Sequence, residues 1–259
     1  MSLKALIFDV DGTLAETEEA HREAFNRVFA ENGLNWVWDR ETYGELLEIT
    51  GGKERIRHFI GEYSPQDFEK FNNDDALVVA MHKRKTQIYM DLVSTGGVPL
   101  RPGVERLIRE ARESGVRLAI ATTTNLLPLQ ALFEGTLGLE ALGWFEAVAA
   151  GDMVTHKKPA PDLYLQALEQ LGLPAENCLA MEDSRNGLMS ARAAGLETVI
   201  TVNTYTQEQD FSGALGVFSD LGEPDRGMKV IRGPDIDAAC IDIRVLEALH
   251  GKGRRRNRI

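Results

Sequence analysis

Asp9 and Asp11 stand two residues apart at the end of the apolar run Ala5-Leu6-Ile7-Phe8, with Gly12 and Thr13 directly behind them. On an extended strand, residues i and i+2 point to the same side, so this spacing delivers two carboxylates together from a buried strand. Three further polar groups close later apolar runs: Thr122-Thr123-Thr124-Asn125, His156-Lys157-Lys158-Pro159 and Glu182-Asp183-Ser184. If those runs are parallel strands of one sheet, all four groups meet at one rim, where open α/β sheets bind ligands. Asp9, Asp11, Glu182 and Asp183 then gather four negative charges, a set that requires a cation. Carboxylate oxygens without a thiol or imidazole cluster select a hard ion such as Mg2+, which bridges readily to phosphate. Lys158 adds a positive charge, and the hydroxyl and amide groups at 122–125 suit phosphate oxygens. The chemistry this set supports is phosphoryl transfer. One aspartate attacks phosphorus, the other moves the proton, and cation and lysine offset the repulsion between carboxylate and phosphoryl dianion.

The elements that must position these groups are legible as short aliphatic runs bounded by Gly, Pro, Asp or Asn. Strands are expected at Lys4 to Val10, Arg117 to Thr123, Ala147 to Ala150, Cys178 to Met181 and Thr198 to Val202. Helical periodicity fills the intervals at Gly103 to Ser114, Leu127 to Gly135, Pro161 to Leu171 and Asn186 to Ala194, with Gly115, Gly172 and Gly195 as stop signals. Alternation of this kind predicts an α/β fold with a parallel sheet covered by helices on both faces. One interval departs from it. From Glu16 to about Val93 only helical patterns occur: Glu18 to Glu31, Arg40 to Leu47, Lys53 to Gly61 and Gln66 to Leu92. The chain returns through a stretch rich in Gly and Pro at Ser94 to Gly103, which predicts a hinged helical insertion over the sheet's active edge. Leu215 to Phe218 reads as an edge strand, Asp242 to His250 as a short helix, and the basic end Gly251 to Ile259 as a solvated terminus.

Composition narrows the function classes. The 259 residues, 43% of them apolar, suffice for one large domain or two unequal ones. A net charge of −11 opposes a nucleic-acid backbone or an anionic membrane as partner, so a phosphorylated small molecule needs local positive charge or a metal. Cys178 and Cys240 are too few for a disulfide framework and lack zinc-finger spacing. With no basic leader before an apolar stretch and no run of membrane-spanning length, a cytoplasmic protein is expected; a monomer is expected as well.

The ordered set Asp9-x-Asp11-Gly12-Thr13, Thr122, Lys158-Pro159 and Glu182-Asp183 resembles the four motifs of the haloacid-dehalogenase-like superfamily, from about Lys4 to Val202. The resemblance implies a Rossmann-like core, residues 1–15 and 99–259, with a helical bundle at 16–98 inserted as that superfamily's first class of cap. It makes Asp9 the nucleophile and a metal ligand, and Asp11 the acid/base and a metal ligand through its backbone carbonyl. Thr122 then binds phosphate, Lys158 neutralises it, and Asp183 ligates Mg2+ with Glu182 in or near its second shell. An aspartate at 11 argues against the dehalogenase branch, which lacks this carboxylate and uses no magnesium.

Within the superfamily, the cap resembles CbbY-like sugar-phosphate phosphatases and, slightly less, β-phosphoglucomutase. The resemblance is carried by Glu16-Thr17, His21, Trp38 to Tyr43, Thr50 to Ile56 and Lys83 to Lys85. It implies substrate contacts from Glu16, His21, Tyr43, Lys53, Arg55, Lys85, Thr124 and Asn125, although Asn125 stands where the mutase has a lysine. The implied substrate is a ketopentose bisphosphate such as xylulose 1,5-bisphosphate. Ordinary roles compete with these. His21 shares its helix with Ala20, Ala24 and Phe25, which equally suits a packed histidine. Lys53, Arg55 and Lys85 equally suit solvated helix charges, although Gly51 and Gly52 before Lys53 resemble an anion-binding turn. His58, His82 and His250 form no cluster and receive no role. A phosphomutase shares every motif. A receiver-type signalling module shares the acidic cluster, Thr and Lys, but is far shorter and carries no capping bundle.

Overall fold

The computed structural model describes residues 3–65 and 75–256, with residues 254–256 described by backbone alone. Strands β1 (Ala5–Phe8), β2 (Arg117–Ala121), β3 (Phe145–Ala149), β4 (Cys178–Glu182), β5 (Glu197–Thr201), β6 (Gly216–Phe218) and β7 (Val230–Arg232) form one sheet. Its order is β3-β2-β1-β4-β5-β6-β7, parallel throughout except for the β6–β7 pair. In register, Phe8 lies beside both Ile120 and Met181, so the residues that follow these strands emerge at one rim.

The helices are α1 (Glu18–Glu31), α2 (Arg40–Leu46), α3 (Gly52–Tyr63), α4 (Asp75–Ser94), α5 (Val104–Glu113), α6 (Leu126–Gly135), α7 (Asp162–Leu171), α8 (Arg185–Ala193) and α9 (Ile243–Arg256). The central strands are buried on both faces, yet the faces differ in kind. Leu6, Phe8, Leu118, Ile120, Leu179 and Met181 pack with Leu107 and Ile108 of α5, Leu132 and Phe133 of α6 and Leu246 of α9. Ala5, Ile7, Ala119, Ala121, Cys178 and Ala180 face the other way, toward Leu163, Tyr164, Ala167 and Leu168 of α7. Apart from Ile7, the period-two alternation is therefore large against small, not apolar against polar, and the small side lets α7 lie close to the sheet.

The helical excursion leaves and returns at one place. Ala15 bridges Leu100, and Arg101 N–H donates to Leu14 O at 2.9 Å. The buried Arg101 guanidinium then donates to the carbonyls of Gly12, Thr201, Val202 and Ser219, tying the loop after β1 to the ends of β5 and β6. Inside the bundle, Trp38 is fully buried between Phe25, Phe29, Tyr43 and Phe59, with ring centroids 4.5, 4.9, 6.0 and 5.4 Å away. Asn26 pins its backbone twice, accepting from Trp38 N–H at 2.8 Å and donating to Trp38 O at 2.9 Å. Asp39 then caps α2, accepting from Thr42 N–H at 2.8 Å.

Three elements differ from the sequence pattern. β3 begins at Phe145, ahead of the expected Ala147, because as an edge strand it exposes Glu146 between buried Phe145 and Ala147. β7 was not expected, since its three exposed residues pair with β6 through backbone and need no apolar alternation. The last helix runs on past His250 to Arg256, with Gly253 packed beside Leu215 and Glu197. The start of the helix expected at Gln66 and the end of the basic tail lie outside the described residues. Among those described, no helix is long and apolar enough to cross a membrane.

Removing the indole at the centre of the bundle leaves a large cavity among rings that cannot collapse onto each other. Trp38→Ala is expected to lower stability by ~3–5 kcal/mol, read as a lower urea midpoint in far-UV circular dichroism.

Candidate active site

Asp9 prolongs β1: its N–H donates to Met181 O at 2.9 Å, in ladder fashion, and its carboxylate lies at the rim. The chain then turns sharply, with Thr13 and Leu14 N–H returning to Val10 O at 3.2 and 2.9 Å. Gly12 makes that turn at φ 83°, and a Cβ there would lie 2.3 Å from Asp183 Oδ2. Only glycine brings the backbone of the Asp11-Gly12 turn against this carboxylate.

Lys158 reaches the rim from the loop before α7. Its buried ammonium donates to Asp9 Oδ1 and Glu182 Oε1, each at 2.6 Å. Tyr164 OH donates to the same Glu182 oxygen at 2.7 Å, and Asp183 N–H donates to Glu182 Oε2 at 3.3 Å. Both oxygens of Glu182 are thus occupied by protein donors. A Cβ at Gly187 would meet that carboxylate at 1.9 Å, so the first turn of α8 seats directly on it, capped by Ser184 accepting from Gly187 N–H at 3.1 Å. Asn203 Nδ2, beyond the end of β5, donates to Asp183 Oδ2 at 2.6 Å.

The two leading aspartates sit in opposite electrostatic settings. Burial raises Asp9 to about 7, and repulsion from Glu182 and Asp11 adds to burial against the pull of Lys158. Burial, Asp9 and Glu182 likewise lift Asp183 well above the carboxylate range. Burial also opposes ionisation of Asp11, but its donors prevail and hold it well below that range. These are His21 Nε2 at 3.2 Å, Thr17 at 2.6 Å and Thr124 at 2.5 Å. Behind His21, Lys85 Nζ lies 2.6 Å from Nδ1, and the imidazole stacks on Tyr89 at 3.9 Å. Burial lowers Lys85 to about 7, assisted by Arg55.

One carboxylate oxygen from each of Asp9, Glu182 and Asp183 lies within 4.8 Å of the others, and all three residues are buried. Asp9 and Asp183, raised by burial first and by neighbouring carboxylates second, face a backbone turn open only because residue 12 is glycine, and with Glu182 beside them form a donor set suited to a hard divalent ion.

The cleft above this floor is bounded by Asp9, Asp11, Lys158 and Asp183 below, by Glu48, Thr50 and Arg55 from the helical bundle, and by Ser184, Tyr205 and Gln209 from the sheet side. Other candidates lie elsewhere. Thr122 is fully buried and its Oγ1 accepts from Thr124 N–H at 3.1 Å, while Thr123 lines the cleft. Asn125 is exposed at the start of α6. Glu16 lies off the cleft, 2.9 Å from Arg101, and Glu18 lines it instead. Tyr43 is buried in the aromatic core, its OH donating to Glu18 at 2.8 Å and accepting from Arg55 at 3.2 Å. Lys85 is buried beneath the wall, and Lys53 is half-buried beside His82. On a helix a shift of two residues turns a side chain through about 200°, which a motif match along the chain does not register. Asn203, Tyr205 and Gln209 were missed altogether. Asn203 carried the same signal as the other groups, a polar residue just past the strand run ending at Val202.

His82, assigned nothing from sequence, sits among Lys53, Lys85 and Lys157; burial first and these cations second lower it to about 4. With an unfolded value near 6.5, the folded state resists protonation, so this group's contribution to stability falls as pH drops from 6.5 toward 4. His82→Gln is expected to shrink the stability lost between pH 7 and pH 4.5 by roughly 2 kcal/mol, measured as paired urea unfolding curves.

Comparison with known proteins agrees with this geometry. Residues 3–195 match the family model described as haloacid dehalogenase-like hydrolase. Protein CbbY of Rhodobacter capsulatus is 54% identical over 224 residues, 85% of this chain and 95% of that protein. The crystal structure of a CbbY mutant from Rhodobacter sphaeroides in complex with xylulose-(1,5)bisphosphate is similar at 43% identity and a TM-score of 0.75, over 85% of this chain and 95% of that one. β-Phosphoglucomutase from Clostridium difficile shares the fold, with a TM-score of 0.71 at 17% identity over 98% of this chain and 100% of its own. A rim that joins Asp9, Asp11, Lys158 and Asp183 in one cleft, on a chain matched in this way, means that the protein belongs to the haloacid dehalogenase-like hydrolase family.

Proposed function

We propose that the protein is a Mg2+-dependent phosphatase that removes one phosphate from a ketopentose bisphosphate such as xylulose 1,5-bisphosphate. Residues 1–15 and 99–259 form its core and residues 16–98 its cap. The observation that carries this reading is the buried Asp9 carboxylate, 2.6 Å from the Lys158 ammonium and within one acidic cluster with Asp183. The solved CbbY complex holds that bisphosphate, and Arg55 offers a cap cation on the cleft wall for its second phosphate.

Asp9 and Asp183, with the carbonyl of Asp11, would hold the magnesium, which when bound neutralises phosphoryl oxygens and keeps Asp9 ionised. Glu182 serves at one remove, since Lys158, Tyr164 and the Asp183 amide take its oxygens. An Asp9 oxygen attacks phosphorus as the ester P–O bond breaks, forming an aspartyl-phosphate, and the sugar oxygen takes a proton from Asp11. Asp11 then takes a proton from water as the water oxygen attacks phosphorus, which releases inorganic phosphate and restores Asp9. The donors around Asp11 favour its carboxylate, the form that activates water. A phosphate dianion arriving beside it favours the protonated form that the first step needs. Lys158 stays protonated between two carboxylates and offsets charge on the transferring group. Thr122, directly after β2, binds a phosphate oxygen, and the protein works as a monomer.

Incubation of the protein with xylulose 1,5-bisphosphate is expected to release inorganic phosphate with Mg2+ and to stop with excess chelator. Isomerised monophosphate without net phosphate release would instead establish a mutase. Asp9→Asn is expected to lower kcat by three or more orders of magnitude in a protein with unchanged circular dichroism, and near-normal turnover would remove Asp9 as nucleophile.

A further inference from the structure

One segment of the core touches both the acidic floor and the helical bundle. Asn203, held to Asp183 at 2.6 Å, also accepts from Tyr205 N–H at 2.9 Å through its side-chain oxygen. The amide of one residue therefore ties the floor to the backbone that presents the Tyr205 ring. That ring crosses to the bundle. Its hydroxyl donates to Glu19 on α1, and its ring meets that of Tyr43 on α2 in a T-shaped contact at 5.7 Å and 82°. Tyr43 in turn joins Glu18 and Arg55, two of the bundle residues that line the cleft. Further along the segment, Gln209 donates to Glu48 of the bundle at 3.2 Å while accepting from Arg185 N–H of α8 at 2.8 Å.

We infer that the segment 203–209 is a latch, in which Tyr205 holds the bundle closed over the floor by bonding Glu19 and fixes Arg55 through Tyr43. An open bundle would carry Arg55 away from a second phosphate while leaving Asp9 and Lys158 in place, so the latch acts on binding of a doubly anchored substrate more than on the chemical step. Tyr205 is a positioning residue, since its hydroxyl acts through Glu19 and its ring through Tyr43.

The kinetic half of the test rests on the phosphatase reading, and the structural half does not. Spin labels at Val37→Cys and Leu165→Cys, 71% and 49% exposed, with Cys178 and Cys240 replaced by Ala, report the distance between bundle and core without any substrate. The parent is expected to show one dominant distance; Tyr205→Phe and Glu19→Ala should each add a longer population, and two parent-like distributions would overturn the latch. In turnover of xylulose 1,5-bisphosphate, each single variant is expected to raise KM about tenfold, ~1.4 kcal/mol, with a smaller change in kcat. The double variant should be no worse than Glu19→Ala alone, which removes the Tyr205 contact together with the ion pairs to Arg22 and Arg40; an additive, roughly hundredfold rise would overturn it. If the parent turns over p-nitrophenyl phosphate but not the bisphosphate, the substrate reading fails while the label distances still judge the latch.

Discussion

The Lys158 ammonium, enclosed between the carboxylates of Asp9 and Glu182, is the interaction on which the rest of the site depends. Carboxylates buried this closely resist ionising together, and one fixed cation lowers that resistance without filling the cleft. Tyr164 and the Asp183 amide complete the arrangement by donating to both oxygens of Glu182. Glu182 is thereby an anchor for the lysine. A buried charge of this kind is stabilised by the two carboxylates that accept from it.

Asp9 and Asp11 are neighbours in sequence with different surroundings, and those surroundings divide their labour. Asp9 faces other acids and resists ionisation; Asp11 faces three donors and favours it. Two of those donors, Thr17 and His21, belong to the start of the helical excursion, so the bundle participates in the electrostatics of the floor from its first turn. Arg101 supports the same region from beneath, collecting carbonyls from the loop after β1 and from the ends of β5 and β6. Rim, hinge and floor are in this way parts of one hydrogen-bonded unit.

The strand runs and the four polar groups were legible in sequence because each depends on local pattern: aliphatic runs, stop glycines and a charge where a buried strand should have none. Elements on the sheet's edges were not, since β7 needs no apolar alternation to pair by backbone and β3 hides its period behind Glu146. The surroundings of the cap residues were not legible, for a geometric reason. Glu16, Tyr43, Lys53 and Lys85 occur in a recognisable pattern, yet the structure turns them toward Arg101, the aromatic core, His82 and His21. Tyr205 escaped notice because its significance lies in what it bridges, whereas Asn203 carried the strand-end signal of the other rim groups.

What the sequence by itself determined is the chemistry at the rim: residue types at strand ends, in an order that a parallel sheet must converge, and therefore the family. Tertiary structure alone decided which carboxylate is raised and which lowered, which acid anchors the lysine, and which bundle residues reach the cleft. Those outcomes rest on burial and on contacts between residues as far apart as Glu19 and Tyr205, and distances across a fold are absent from any local pattern along the chain.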